Sequence, residues 1–149
     1  MEDLKLQLES LIFNEALSVG ERLEQVCEVL RSNIAHYDWV GFYFHEPETR
    51  TLHLRAFAGE PTDHTQIPFG KGICGQVAES NQNFIVPDVK AQDNYIACSI
   101  NVKSEIVIPL FKDGVNIGQI DIDSNTIDPF TDADVELLEF VNAKVSEIL

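Results

Sequence analysis

Two apolar runs, Ser104-Glu105-Ile106-Val107-Ile108-Pro109-Leu110 and Ile117-Gly118-Gln119-Ile120-Asp121-Ile122-Asp123, flank the tripeptide Lys112-Asp113-Gly114. Apolar segments on either side of an Asp-Gly turn predict an antiparallel hairpin. Side chains alternate with period two, so the register decides which residues meet the core. A two-residue loop would pair Ile106 with Asp121 and set apolar against charged. A three-residue loop with Gly114 left-handed pairs Ile106 with Ile120 and Glu105 with Asp121, and this is the expected register. It gathers Glu105, Asp121 and Asp123 on one sheet face. Carboxylates in core strands cost free energy unless they are paired or used. The hairpin therefore constrains the chemistry as well as the fold.

The rest of the chain supplies partners for such a sheet. Leu4, Leu8, Leu11, Ile12 and Ala16 recur at helical spacing over residues 2–17, and a second helix is expected from about Gly20 to Ala35 on Leu23, Val26, Cys27, Leu30 and Ile34. Cys27 reads as a small core residue on that face. The aromatic stretch Tyr37 to His45 predicts a strand with Trp39, Gly41 and Tyr43 on one face and Val40, Phe42 and Phe44 on the other. Thr51 to Ala58 returns as its neighbour, and Phe84-Ile85-Val86 is a further short strand. Gly70 to Gly75 reads as a glycine-rich turn exposing Cys74, with a short helix beginning near Gly75. After Asp128-Pro129-Phe130, Thr131 and Asp134 frame the start of a final helix. The class is α+β: residues 1–149 as a single domain, a mostly antiparallel sheet flanked by N- and C-terminal helices.

Charge and cysteine usage exclude several functions. With 25 acids against 10 bases, the net charge is −15, which disfavours nucleic acid and anionic membrane surfaces. No apolar run reaches the ~18 residues of a membrane span. The N-terminus lacks a signal-peptide pattern. Three unevenly spaced cysteines do not form a secreted disulfide framework, so a cytoplasmic protein with reduced thiols is expected. Gly70 to Gly75 lacks the Lys-Ser/Thr ending of a phosphate-binding loop. His64 and two distant cysteines lack the paired spacing of a zinc site, and no metal is expected.

In order along the chain, Asp38-Trp39-Val40-Gly41-Phe42-Tyr43, Ile67-Pro68-Phe69-Gly70-Lys71-Gly72-Ile73-Cys74-Gly75, Pro87-Asp88-Val89, Ile96-Ala97-Cys98, Ser104-Glu105-Ile106-Val107 and Ile117 to Ser124 resemble the free methionine-(R)-sulfoxide reductases, which are GAF-domain enzymes. The resemblance covers nearly the whole chain. It implies that Cys98 is the nucleophile attacking the sulfoxide sulfur. Glu105, Asp121 and Asp123 then hold the substrate ammonium and deliver a proton to the sulfoxide oxygen, while Trp39 and Tyr43 wall the pocket. Cys74 resolves Cys98 through a disulfide, which a thioredoxin-like reductant reopens. No bound cofactor is implied, and a homodimer is common among such domains.

This chemistry is physically coherent. A sulfoxide oxygen leaves only when protonated, and three close carboxylates cannot all stay ionised, so at least one is expected to hold a proton near neutrality. The sequence departs from the family at three positions: His64 replaces a further cysteine, Tyr95 a histidine and Ser99 an aspartate. The alternative reading is a non-catalytic GAF-type module that senses or binds a small molecule. For each candidate there is also a purely structural reading, an inert buried thiol for Cys98 and strand-end charge facing solvent for the acids.

Overall fold

The computed structural model describes residues 1–92 and 101–149. Four helices and six strands follow in the order α1 (Glu2–Ile12), α2 (Val19–Asn33), β1 (Trp39–Glu46), β2 (Thr51–Ala58), β3 (Gln66–Pro68), α3 (Gly72–Ser80), β4 (Phe84–Val86), β5 (Ser104–Lys112), β6 (Val115–Ser124) and α4 (Asp132–Ser146), with one 3₁₀ turn at Val89–Ala91. The strands form one antiparallel sheet in the order β3-β2-β1-β6-β5-β4. The α+β class and the terminal helices are as the sequence predicts. No helix among the described residues is long and apolar enough to cross a membrane.

Alternation divides the sheet into two unlike faces. Val40 and Phe42 of β1, Ile106, Ile108 and Leu110 of β5, and Ile120 and Ile122 of β6 pack against α1, α2 and α4 in the larger core. Cys27 lies fully buried there, as a core residue should. The opposite face carries Trp39, Tyr43 and Val107, with α3 laid over them through Ile73, Cys74, Val77 and Ala78. The three hairpin carboxylates point to this second, smaller side.

Three local expectations change. The first helix stops at Ile12, because Asn14 Oδ1 accepts the Ala16 N–H at 3.1 Å and offers the backbone a turn in place of another helical bond. The second helix starts at Val19 under a capping box in which Ser18 Oγ accepts the Glu21 N–H and Glu21 Oε1 accepts the Ser18 N–H, each at 3.2 Å. Most consequential is the hairpin. Asp113 (φ 54°) and Gly114 (φ 79°) are both left-handed and form a two-residue turn, with Lys112 opposite Val115. The register then shifts between Leu110 and Phe111, leaving Ile117 as a bulge. Glu105 therefore pairs with Asp123, and Ile106 with Ile122, instead of the predicted Asp121 and Ile120. The discrepancy is two residues along β6, an even number, so every side chain keeps its predicted face.

Candidate active site

β5 and β6 place Glu105 opposite Asp123, and Val107 opposite Asp121. On the other side of β6, β1 sets Trp39 opposite Asp123 and Gly41 opposite Asp121. The side-chain vacancy at Gly41 is used: a Cβ there would lie 2.3 Å from Trp39 Cη2, so the indole folds over the strand. Trp39 Nε1 donates to the Glu60 carbonyl at 3.0 Å, and the Tyr43 hydroxyl donates to the His64 carbonyl at 2.8 Å. Both rings thus tie the loop between β2 and β3 across the carboxylates.

α3 delivers Cys74 from its first turn, not from an exposed glycine-rich turn as expected. Gln119 Nε2 donates to the Cys74 carbonyl at 3.1 Å, and the Cys74 thiol donates to Glu105 Oε2 at 3.8 Å. Cys74, Glu105, Asp121 and Asp123 are only 6%, 5%, 2% and 1% exposed, which excludes the reading of the acids as solvent-facing strand ends. Gln119 was not singled out from sequence, although its place two residues before Asp121 puts it on the same face.

A cysteine at a helix N-terminus ordinarily becomes more acidic. Here the opposite holds. Burial, followed by the charges of Asp121, Glu105 and Asp123, pushes the Cys74 thiol well up. Burial likewise raises the Asp121 carboxyl, opposed by hydrogen bonds from the Glu105 and Cys74 side chains. Asp121 Oδ1 is buried without a hydrogen-bond partner among the described residues. The cluster is therefore inclined to hold protons, as a proton donor must be. Cys74, Glu105 and Asp121 each offer a donor atom within 4.8 Å of the others. That spacing is close enough for one divalent ion, a juxtaposition that sequence spacing did not reveal, although any such ion would have to displace the retained thiol proton.

Among the described residues, these side chains line two cavities, an inner one between the sheet and α3 and an outer one at the Trp39 end of β1. Tyr43, His64, Cys74, Glu105 and Asp121 line the inner one, whose volume of about 10 Å³ admits roughly one water. The outer one measures about 180 Å³ and is lined by Arg31, Asp38, Trp39, Glu60, Asp123 and Asn101, among others. The two predicted ring walls are divided between them, with ring centroids 6.4 Å apart. His64, at the position of the family's additional cysteine, does front the inner cavity beside Cys74. Cys98, Tyr95 and Ser99 lie outside the described residues, so the structure assigns the predicted nucleophile no place relative to the acids.

The sequence pattern described as GAF domain matches residues 16–149. The chain is 38% identical over 137 residues to GAF domain-containing protein A of Dictyostelium discoideum, spanning 92% of this chain and 84% of that protein. It is 35% identical over 144 residues to the free methionine-R-sulfoxide reductase of Saccharomyces cerevisiae, spanning 93% and 79%. The structure of the free methionine-R-sulfoxide reductase of Neisseria meningitidis in complex with its substrate superposes with a TM-score of 0.87 at 34% identity, covering 99% of this chain and 90% of that one.

Proposed function

Because the chain belongs to the GAF domain family of free methionine-R-sulfoxide reductases, we propose that it reduces free methionine-(R)-sulfoxide to methionine through cysteine thiols. It is an oxidoreductase of that family. The observation that supports the mechanism is the buried cluster of Cys74, Glu105 and Asp121, in which burial raises the Cys74 thiol and the Asp121 carboxyl, on the sheet face shared with Asp123, Trp39 and Tyr43.

Cys98 attacks the sulfoxide sulfur while the acid cluster protonates the oxygen. The attack joins the two sulfurs, and the S–S and S–O bonds then break as the hydroxyl passes to the Cys98 sulfur, so methionine leaves as the thioether and Cys98 carries the oxygen as a sulfenic acid. The Cys74 thiol then attacks that sulfur, forming a Cys74–Cys98 disulfide and releasing water. A thioredoxin-like dithiol restores both thiols and is itself oxidised. Glu105, Asp121 and Asp123 hold the substrate ammonium, and Trp39 and Tyr43 enclose the methylsulfinyl end, where aromatic faces suit a partly positive sulfur. This chemistry uses side chains alone, without a bound cofactor or metal. His64 leaves Cys74 as the resolving thiol. Reactive thiols of this kind belong in the reducing cytosol, and a homodimer is the expected assembly.

The test couples the purified protein to thioredoxin, thioredoxin reductase and NADPH with the free sulfoxide as oxidant. NADPH oxidation above a Cys98→Ser control is expected, with a Cys74–Cys98 disulfide in non-reducing peptide maps when the reductant is withheld. Turnover no higher than the control overturns the reading in favour of a ligand-holding GAF module.

A further inference from the structure

Ligands paired closely along the chain, the usual mark of a zinc site, are lacking here. The fold instead brings donors together from three elements. Cys74 of α3, Glu105 of β5 and Asp121 of β6 each offer one atom, and these atoms lie within 4.8 Å of one another. Cys74 Sγ stands 3.8 Å from Glu105 Oε2. A tetrahedral zinc ion, bound at about 2.3 Å to sulfur and about 2.1 Å to oxygen, sets such donors roughly 3.6 Å apart. The thiol and the carboxylate are already close to that spacing.

A thiol and two acids can also be held together by shared protons, so proximity alone does not make a metal site. Asp121 adds a second observation. It is 2% exposed and lines the inner cavity, yet its Oδ1 finds no hydrogen-bond donor among the described residues. A buried carboxylate oxygen left in this way costs free energy that a cation in the cavity would recover. The volume of about 10 Å³ suits a single ion and no organic ligand. Sulfur among the donors selects a borderline-soft ion, whereas Mg²⁺ and Ca²⁺ require more oxygen ligands and disfavour a thiolate.

We propose that Cys74, Glu105 and Asp121 form an inhibitory Zn²⁺ site in the inner cavity, with water in the fourth coordination position. Zinc enters, the Cys74 thiol gives its proton to solvent as the Zn–S bond forms, and no electron moves. The site stands on geometry alone. Its inhibitory effect rests on the reductase reading, in which occupancy engages both the resolving thiol and the acids that protonate the sulfoxide oxygen.

The reduced, chelator-treated protein is titrated with Zn²⁺ under native mass spectrometry, and with Co²⁺ as a spectroscopic probe. One equivalent of each is expected, Co²⁺ giving a thiolate-to-cobalt charge-transfer band in the near ultraviolet, and millimolar Mg²⁺ or Ca²⁺ leaving both titrations unchanged. Cys74→Ser should abolish the band and Asp121→Asn should weaken Zn²⁺ binding by roughly tenfold or more, whereas Cys98→Ser should keep the band. Each variant is checked by thermal melting. No band in the wild type overturns the site whatever the variants do, and so does a band lost in Cys98→Ser but kept in Cys74→Ser. In a single turnover by the pre-reduced protein without thioredoxin, equimolar Zn²⁺ should lower methionine release by roughly tenfold or more, and EDTA should restore it. Unchanged release with the site filled overturns the inhibition. No release from the zinc-free protein, with the Cys74 band intact, overturns the reductase reading and leaves the metal site standing.

Discussion

Cys74 shows how two opposed rules are resolved by magnitude at a single residue. Its position in the first turn of α3 would favour the thiolate, yet burial and three carboxylates outweigh the helix terminus and keep the thiol protonated. A protonated Cys74 is slow to attack anything until a neighbour accepts its proton, which suits the second, resolving role proposed for it. Asp121 has the complementary property and a measurable consequence. Its folded carboxyl is raised above the ordinary aspartate value of ~3.9, so over the window from that value upward the folded state holds a proton the unfolded chain has lost. The group's contribution to stability therefore falls as pH rises through that window. Asp121→Asn removes the titration, so its stability relative to the wild type should climb from pH 4 to pH 8 in urea denaturation, while turnover drops at least tenfold. A stability difference that is flat or falls over that range contradicts the raised carboxyl.

Among the elements, β1 is where packing and chemistry meet, because its even residues enter the larger core while its odd ones face the carboxylates. Gly41 makes the arrangement fit. Gly41→Ala places a methyl against the indole, and the expected cost is about 1–3 kcal/mol by urea unfolding, with a changed Trp39 emission and a raised KM. Wild-type stability and emission in that variant would mean that the ring does not need the space. The β5–β6 hairpin teaches a different lesson. Alternation made the face of Glu105, Asp121 and Asp123 legible from sequence, but the pairing depended on a two-residue turn followed by a bulge at Ile117. Nothing in the apolar pattern marks that bulge, since isoleucine there fits either register.

For the molecule as a whole, a charge of −15 implies self-repulsion that salt should screen. The melting temperature is expected to rise as NaCl goes from 10 mM to about 0.3 M, and a flat or falling midpoint would show that local pairing has already neutralised the repulsion. The fold class, five of the six strands and the sidedness of the acids followed from the sequence because period-two and period-3.6 patterns are local and survive small errors of register, whereas the three-residue strand Gln66–Pro68 is too short to show a period. The family resemblance added roles to named residues, yet it offered no geometry. Tertiary structure alone turned Cys74 from α3 into the buried side of the sheet, set its thiol 3.8 Å from Glu105 and tied the loop between β2 and β3 down through Trp39 and Tyr43. Those facts arise from contacts between residues distant in the chain, such as 39 with 60, or 74 with 105 and 121. Burial and charge act on them only after the sheet has brought them together, and that is why no spacing along the sequence could announce them.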